Sequence, residues 1–274
     1  MKICKSIDGL RAVIKEGKAP LGLVPTMGSL HSGHISLIRK AKSENETVVA
    51  SIFVNPLQFE STDDLNLYPR SLENDLGILR EECVDIAFTP PITEMYPRGF
   101  DTTVRLGLAS RIFESQFRNG HFDGVSTVVC KLLSLTRADR AYFGQKDAQQ
   151  GVIINKMNSD LNLGAEIIMM PTVRETDGLA ISSRNVHLSP AERKAATILH
   201  KSLNLAESMG TKDAQTIKKG MQTMIETEPL ARLEYISISD AFTLEEVEQL
   251  EKPTLISLAI WVGKTRLIDN TTLK

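Results

Sequence analysis

Only three of the 274 residues are cysteine: Cys4, Cys83 and Cys130. They are widely spaced, odd in number and contain no C-x-x-C pair, so they cannot all be joined within one chain; a disulfide-stapled scaffold is excluded and reduced thiols are expected. Neither sign of charge dominates. The 32 Lys and Arg face 34 Asp and Glu, a formal charge of −2, which offers no general basic surface for nucleic acid. No apolar run reaches the roughly 20 residues that span a bilayer. The start, Met1-Lys2-Ile3-Cys4-Lys5, leads into no hydrophobic signal segment, so a cytoplasmic location without a membrane partner is expected. Internal repeats and low-complexity tracts are also absent. At 42% hydrophobic and 24% charged residues the composition excludes disordered and fibrous classes. The length suits two ordinary domains.

Up to about Pro171 short apolar runs alternate with amphipathic segments, the pattern of βαβ units around a parallel sheet. Strands are predicted at Leu21–Val24, Val48–Val54, Asp85–Phe88, Ala141–Phe143 and Glu166–Met170. Their continuous hydrophobicity suits burial on both faces. Helices are predicted at Gly33–Ser43, Ser71–Glu82, Gly124–Leu135 and Ala148–Leu161; the stripe Val125, Val128, Val129, Leu132 and Leu133 reads as core. Beyond Ser189, an N-cap followed by Pro190 at the first helical position, a helical region runs to about Thr227. Leu233–Asp240 and Thr254–Ile268 predict a small antiparallel sheet. The boundary is placed near Pro171-Thr172, dividing residues 1–172 from 173–274.

The first strand runs into Thr26-Met27-Gly28-Ser29-Leu30-His31-Ser32-Gly33-His34 and then a helix. Glycines allow close backbone approach, while free N–H groups and the positive end of a helix favour an anion such as a phosphate. His31-x-Gly33-His34 is similar to the H-x-G-H signature of nucleotidyltransferase-like α/β folds. The strand and helix that the signature requires flank it here.

In an open parallel sheet, ligands gather beyond the carboxyl ends of the strands. After the second strand come Asn55 and Gln58, whose amides suit a neutral hydroxylated substrate, or ordinary loop polarity. After the fourth come Gly144, Gln145, Lys146, Asp147 and Gln150. Lys146 is a point charge for a phosphate, and Asp147 could orient a ribose hydroxyl, a metal or Lys146 itself. After the fifth, Ser182, Ser183 and Arg184 combine hydroxyls with a guanidinium able to stabilise a leaving pyrophosphate.

Six ordered blocks carry a resemblance that runs from Met1 to about Asn270. They are Pro25-Thr26-Met27-Gly28-x-Leu30-His31-x-Gly33-His34, Phe53-Val54-Asn55-Pro56-x-Gln58-Phe59, Tyr68-Pro69-Arg70, Gly120-His121-Phe122-x-Gly124-Val125, Phe143-Gly144-x-Lys146-Asp147-x-Gln149-Gln150, and Arg174-Glu175-x-Asp177-Gly178-Leu179-Ala180-x-Ser182-Ser183-Arg184-Asn185. Together they resemble the pantothenate synthetase, or pantoate–β-alanine ligase, family. The resemblance implies a Rossmann-like nucleotidyltransferase domain with a smaller C-terminal α+β lid domain. It implies activation of (R)-pantoate by ATP to an acyl-adenylate, release of pyrophosphate, and attack by β-alanine to give pantothenate and AMP.

Carried over by residue, the resemblance puts Met27, Gly28, Ser29, Leu30, His31, Ser32, Gly33 and His34 at the ATP phosphates, with His34 as proton donor and His31 beside it. Gln58 and Gln150 grip pantoate, and Asn55 joins them. Gly144, Gln145, Lys146 and Asp147 bind ATP, Lys146 at its phosphates and Asp147 at its ribose. Val173 lines the adenine pocket, and Ile181, Ser182, Ser183 and Arg184 clamp the triphosphate. Magnesium is expected with ATP, Asp75 matching a family metal position beside Asn74, where relatives often carry a second aspartate. Ile181 stands where Met is usual. Arg118 and His121 fall in a family block without a role assigned from sequence. The family also suggests a homodimer. Another H-x-G-H nucleotidyltransferase is the alternative enzyme, but the Asn55-Pro56-x-Gln58 block finds no use at a nucleotidyl-acceptor site. A non-catalytic nucleotide-binding protein would be marked by loss of the histidines, Lys146 or Arg184, and all are present.

Overall fold

A computed structural model describes residues 1–107, 112–251 and 253–273, with only the backbone of Asp64. The chain forms two compact units, residues 1–144 with 153–170 and residues 145–152 with 171–274. The main break in this grouping falls at Met170/Pro171, and a segment of eight residues after Gly144 groups with the C-terminal part.

The first unit holds strands β1 (Lys2–Cys4), β2 (Leu21–Thr26), β3 (Thr47–Ile52), β4 (Ile86–Phe88), β5 (Arg140–Gly144) and β6 (Glu166–Met170). They form one sheet in the order β1-β4-β3-β2-β5-β6, with every pairing parallel. Its helices are α1 (Ile7–Glu16), α2 (Ser32–Glu44), α3 (Thr62–Leu67), α4 (Leu72–Glu81), α5 (Ile92–Met95), α6 (Glu114–Phe117) and α7 (His121–Thr136). The helix α8 (Ala148–Asp160) follows β5, and the division between the units passes through it.

Side chains alternate across a strand, and here each face has its own core. Leu21 and Leu23 of β2, Val49 of β3 and Ala141 and Phe143 of β5 join Leu10 of α1 and Phe122, Val125, Val129, Leu132 and Leu133 of α7. Val24, Val48, Ala50 and Tyr142 face the other way, against Leu37, Ile38 and Ala41 of α2 and Leu76 and Leu79 of α4. This two-sided burial accounts for the unbroken apolar runs in the sequence. The order reverses between β2 and β5, the switch point where such sheets bind ligands.

The second unit contains α9 (Pro190–Ala195), α10 (Ile198–Ser208) and α11 (Ala214–Ile225), followed by the antiparallel sheet β7 (Ala231–Asp240), β8 (Thr254–Val262) and β9 (Thr265–Leu273) in that order. Leu199, Leu203, Ile217 and Met221 pack on Ile238, Ile256, Leu258, Ile260 and Leu267. Ser189 and Glu192 form a capping box at the start of α9.

Expected and observed elements differ in particular places. Glu166–Met170 matches, and the other strands shift by one or two residues. The expected elements do not include β1, α1, α3, α5 or α6, and the expected segment Thr254–Ile268 is divided between β8 and β9. The turn there passes through Gly263 at φ +56°, a left-handed conformation suited to glycine. α7 starts at His121, three residues before the predicted start, after Gly120 in the left-handed region.

Leu23→Ala is expected to lower the unfolding free energy by about 2–5 kcal/mol, because it opens a cavity in a fully buried apolar core. Leu67→Ala, at an exposed position of α3, should stay within about 0.5 kcal/mol. Urea denaturation followed by circular dichroism measures both.

Candidate active site

β2 delivers the chain into a turn with Gly28 at φ +83° and Ser29 at φ +53°. Every backbone N–H from Gly28 to His31 is donated inward. Gly28 N–H reaches Thr26 Oγ1 at 3.2 Å, and Thr26 Oγ1 itself donates to the Ser51 carbonyl at 2.7 Å. Ser29 N–H reaches Asp75 Oδ2 at 2.9 Å and Leu30 N–H reaches Asp75 Oδ1 at 2.8 Å. His31 N–H reaches His34 Nδ1 at 3.3 Å. The turn amides of Gly28 to His31 are therefore engaged within the protein, and the helix-end N–H groups expected to favour an anion are those that follow in α2. The N-terminal end of a helix such as α2 favours an anion.

The His31 and His34 rings lie 4.0 Å apart between centroids. A ring nitrogen that accepts an N–H carries no proton, so neutral His34 keeps its proton on Nε2 and presents it as a donor. The fold thus fixes which nitrogen of neutral His34 carries the hydrogen-bond donor.

The turn after β3 is held by a second polar network. Asn55 Oδ1 accepts from the Tyr96 hydroxyl at 2.7 Å and from Leu57 N–H at 3.3 Å. Asn55 Nδ2 donates to the Gly124 carbonyl at 3.0 Å and to Gln58 Oε1 at 3.1 Å. All four hydrogen-bonding positions of this amide are filled, and Asn55 is 1% exposed. Substrate contact by Asn55 is accordingly corrected to a positioning role, in which it orients Gln58. With Oε1 engaged, Gln58 turns Nε2 toward Met27 Sδ, 2.9 Å away.

Two residues of the block around α7 gain a use. The Gln58 carbonyl can only accept, so His121 Nδ1, at 2.8 Å, donates to it. His121 Nε2 then accepts from Arg118, at 3.1 Å. A Cβ on Gly124 would sit 2.3 Å from the Leu57 carbonyl oxygen, so only glycine lets α7 approach this turn. Burial pushes the Tyr96 phenol far above its ordinary pKa, which keeps it a donor to Asn55. Tyr96 was not singled out in the sequence, since nothing in its local pattern marks a partner 41 residues away.

In the second unit, a pocket is lined by Lys146, Ala180, Ser182, Arg184, Asn185 and Arg266 among others. It brings together three of the residues assigned to ATP from sequence. Gln145, Asp147, Val173, Ile181 and Ser183 do not line it, and Gly144 belongs to the first unit. Lys146 Nζ lies 3.5 Å from Asp147 Oδ1, so the two are also partners of one another. Asn270 of β9 fixes their turn: its Nδ2 donates to the carbonyls of Gln145 and Lys146, each at 2.9 Å. Next to it, Asp269 is paired with Arg174 through two bonds of 2.6 and 3.0 Å. Ser182 Oγ accepts from Arg184 N–H at 3.3 Å, and Ile181 N–H reaches the Val173 carbonyl at 3.0 Å. Gln150 lies in the first turn of α8.

A protein-held magnesium ion does not fit these residues. Asp75 is 1% exposed with both oxygens on backbone amides, and its neighbour is Asn74. Among the described residues no group of three or more His, Cys, Asp or Glu is placed to hold a metal.

Comparison with known proteins extends over nearly the whole chain. The family model "Pantoate-beta-alanine ligase" matches residues 2–272. The pantothenate synthetase of Roseiflexus sp. (strain RS-1) is 48% identical over 277 residues, covering 100% of both chains. That of Caldicellulosiruptor bescii is 50% identical over 259 residues, covering 93% of this chain and 92% of its own. Among solved structures, pantothenate synthetase from Thermus thermophilus superposes with a TM-score of 0.93 at 41% identity, covering 99% of each chain. The pantoate-β-alanine ligase of Francisella tularensis, complexed with β-γ ATP and β-alanine, gives a TM-score of 0.82 at 35% identity, with 99% and 97% covered.

Tyr96→Phe removes the donor that orients Asn55 and, through it, Gln58. The loss of one buried hydrogen bond is expected to weaken binding of the ligand at Gln58 by about tenfold. Calorimetric titration with (R)-pantoate should read this change, with ATP affinity unaltered.

Proposed function

The chain belongs to the pantoate–β-alanine ligase family, an enzyme family of pantothenate biosynthesis, and from that premise we propose that it joins (R)-pantoate to β-alanine at the expense of ATP through a pantoyl-adenylate. The observation that supports this reading is a Gln58 amide held by Asn55 with its Nε2 beside Met27 Sδ, together with a His34 ring whose Nδ1 accepts the His31 N–H. The Francisella tularensis relative, complexed with β-γ ATP and β-alanine, supports two of the three substrates.

In the first step, a pantoate carboxylate oxygen attacks the α-phosphorus. The bond to the bridging oxygen breaks, and its electron pair leaves with pyrophosphate. Gln58 Nε2 and Gln150 hold pantoate, so that a bimolecular attack becomes a positioned one. His34 Nε2–H, with His31 beside it, donates to the phosphate oxygens as charge develops. Lys146, Ser182 and Arg184 supply further donors and two fixed positive charges to the leaving pyrophosphate. Asp147 takes the ribose and Val173 the adenine.

In the second step, the neutral amine of β-alanine attacks the acyl carbon, the bond from carbon to the AMP oxygen breaks with its electron pair leaving on AMP, and the amine releases a proton to solvent as the amide forms. No protein nucleophile takes part. The reading extends to a homodimer in the cytoplasm, on the strength of the family resemblance; no described helix is long and apolar enough to cross a membrane.

Pyrophosphate release from MgATP with (R)-pantoate, with and without β-alanine, tests the reading. Release that requires pantoate, with AMP and pantothenate accumulating only after β-alanine is added, is the expected result. A chain that releases no pyrophosphate with pantoate would not be this ligase. His34→Ala and Lys146→Ala should each slow single-turnover formation of the adenylate by at least roughly two orders of magnitude, as the loss of a strong transition-state donor does. Rates near the parent's in both variants, measured by rapid quench, would refute the assigned roles.

A further inference from the structure

We propose that Asp75 is a positioning residue that folds the turn in front of α2, and that it does not ligate magnesium. The inference deepens the proposed function, because it rests on His31 and His34 acting at the nucleotide. Asp75 lies in the first turn of α4, whose Leu76 and Leu79 pack into the same core as Leu30 and Leu37. The carboxylate is therefore carried on a helix already locked against α2. One oxygen takes Ser29 N–H and the other takes Leu30 N–H, at 2.9 and 2.8 Å. Hydrogen bonds to a charged acceptor are about twice as strong as neutral ones.

The turn needs such an anchor. Ser29 holds a left-handed backbone at φ +53° without being glycine, a conformation that persists only where surrounding contacts impose it. Gly28, at φ +83°, makes room for the carboxylate: a Cβ there would lie 2.9 Å from Asp75 Oδ2. His31 follows immediately, and its own N–H sets the His34 ring. The carboxylate thus stands at the head of a chain of contacts that ends at the proposed proton donor. A magnesium ligand needs an oxygen open to the ion and its water shell. Asp75 is 1% exposed and faces amides on both oxygens.

The test compares the parent protein with Asp75→Asn, which keeps the size but can accept with one atom only. Amide hydrogen exchange at Ser29 and Leu30, read by NMR, should be slow in the parent and faster by at least about tenfold in the variant. The turnover number for pyrophosphate release should fall by a factor of about ten or more. Mn2+ affinity of the complex with a non-hydrolysable ATP analogue, read by electron paramagnetic resonance, should be unchanged, as should the Mg2+ concentration that gives half-maximal activity. A tenfold or greater loss of Mn2+ affinity would overturn the proposal, and so would equal exchange rates in the two proteins. If the variant fails to fold, the parent decides: unprotected amides at Ser29 and Leu30 would refute the anchor, and protected ones support it. Exchange and Mn2+ binding do not depend on turnover, so absence of pantoate-dependent pyrophosphate release would count against the proposed function and leave the Asp75 result standing.

Discussion

The burial of β2 between two cores is the constraint from which the rest follows. Leu21 and Leu23 point into one core and Val24 into the other, so a slip of one residue would exchange both sets of side chains. This fixes the strand's register and therefore the residue at which it ends. From Thr26 onward the chain has little freedom, because Thr26 Oγ1 is tied to the Ser51 carbonyl and the amides of Gly28, Ser29, Leu30 and His31 each have a partner. The histidines at the head of α2 inherit their placement from the sheet beneath them.

A division of labour holds within each unit. Groups near the proposed ligands but already satisfied, such as Asn55, the turn amides and Asp75, hold other groups in place. Groups assigned to the chemistry, Gln58 Nε2, His34 Nε2, Lys146 and Arg184, are the ones they hold or that line a pocket. Preorganisation of this kind matters most in a reaction without a covalent intermediate on the protein. Donors set in advance toward the developing charge need not reorganise at the moment of transfer. The supporting residues come from distant parts of the chain: Tyr96 for Asn55, His121 for the Gln58 backbone and Asn270 for the Lys146 turn.

Much of this was legible in the sequence wherever the governing interaction is local. Apolar runs marked the inner strands because two-sided burial leaves no polar alternation to obscure them. Ser189 and Pro190 marked the start of α9 because a cap acts within one turn. Three-residue β1 is too short to show a pattern, and the hairpin at Gly263 joins two strands of similar composition. The candidate residues follow the same rule. His31, His34, Lys146 and Arg184 lie in compact blocks, whereas the Asp75 bonds span 46 and 45 residues and the Asn270 bond to Gln145 spans 125. Sequence shows which polar groups exist, and only the fold shows that those of Asn55 and the turn amides have partners within the protein.

The central claim is the transfer of AMP to a carboxylate. The most direct measurement uses (R)-pantoate with 18O in both carboxylate oxygens, followed by mass analysis of the products. Attack of that carboxylate on the α-phosphorus, followed by breakage of the acyl carbon to oxygen bond, places one 18O in each AMP and leaves one in each pantothenate. Label in pyrophosphate, or AMP free of label while pantothenate forms, would contradict the account.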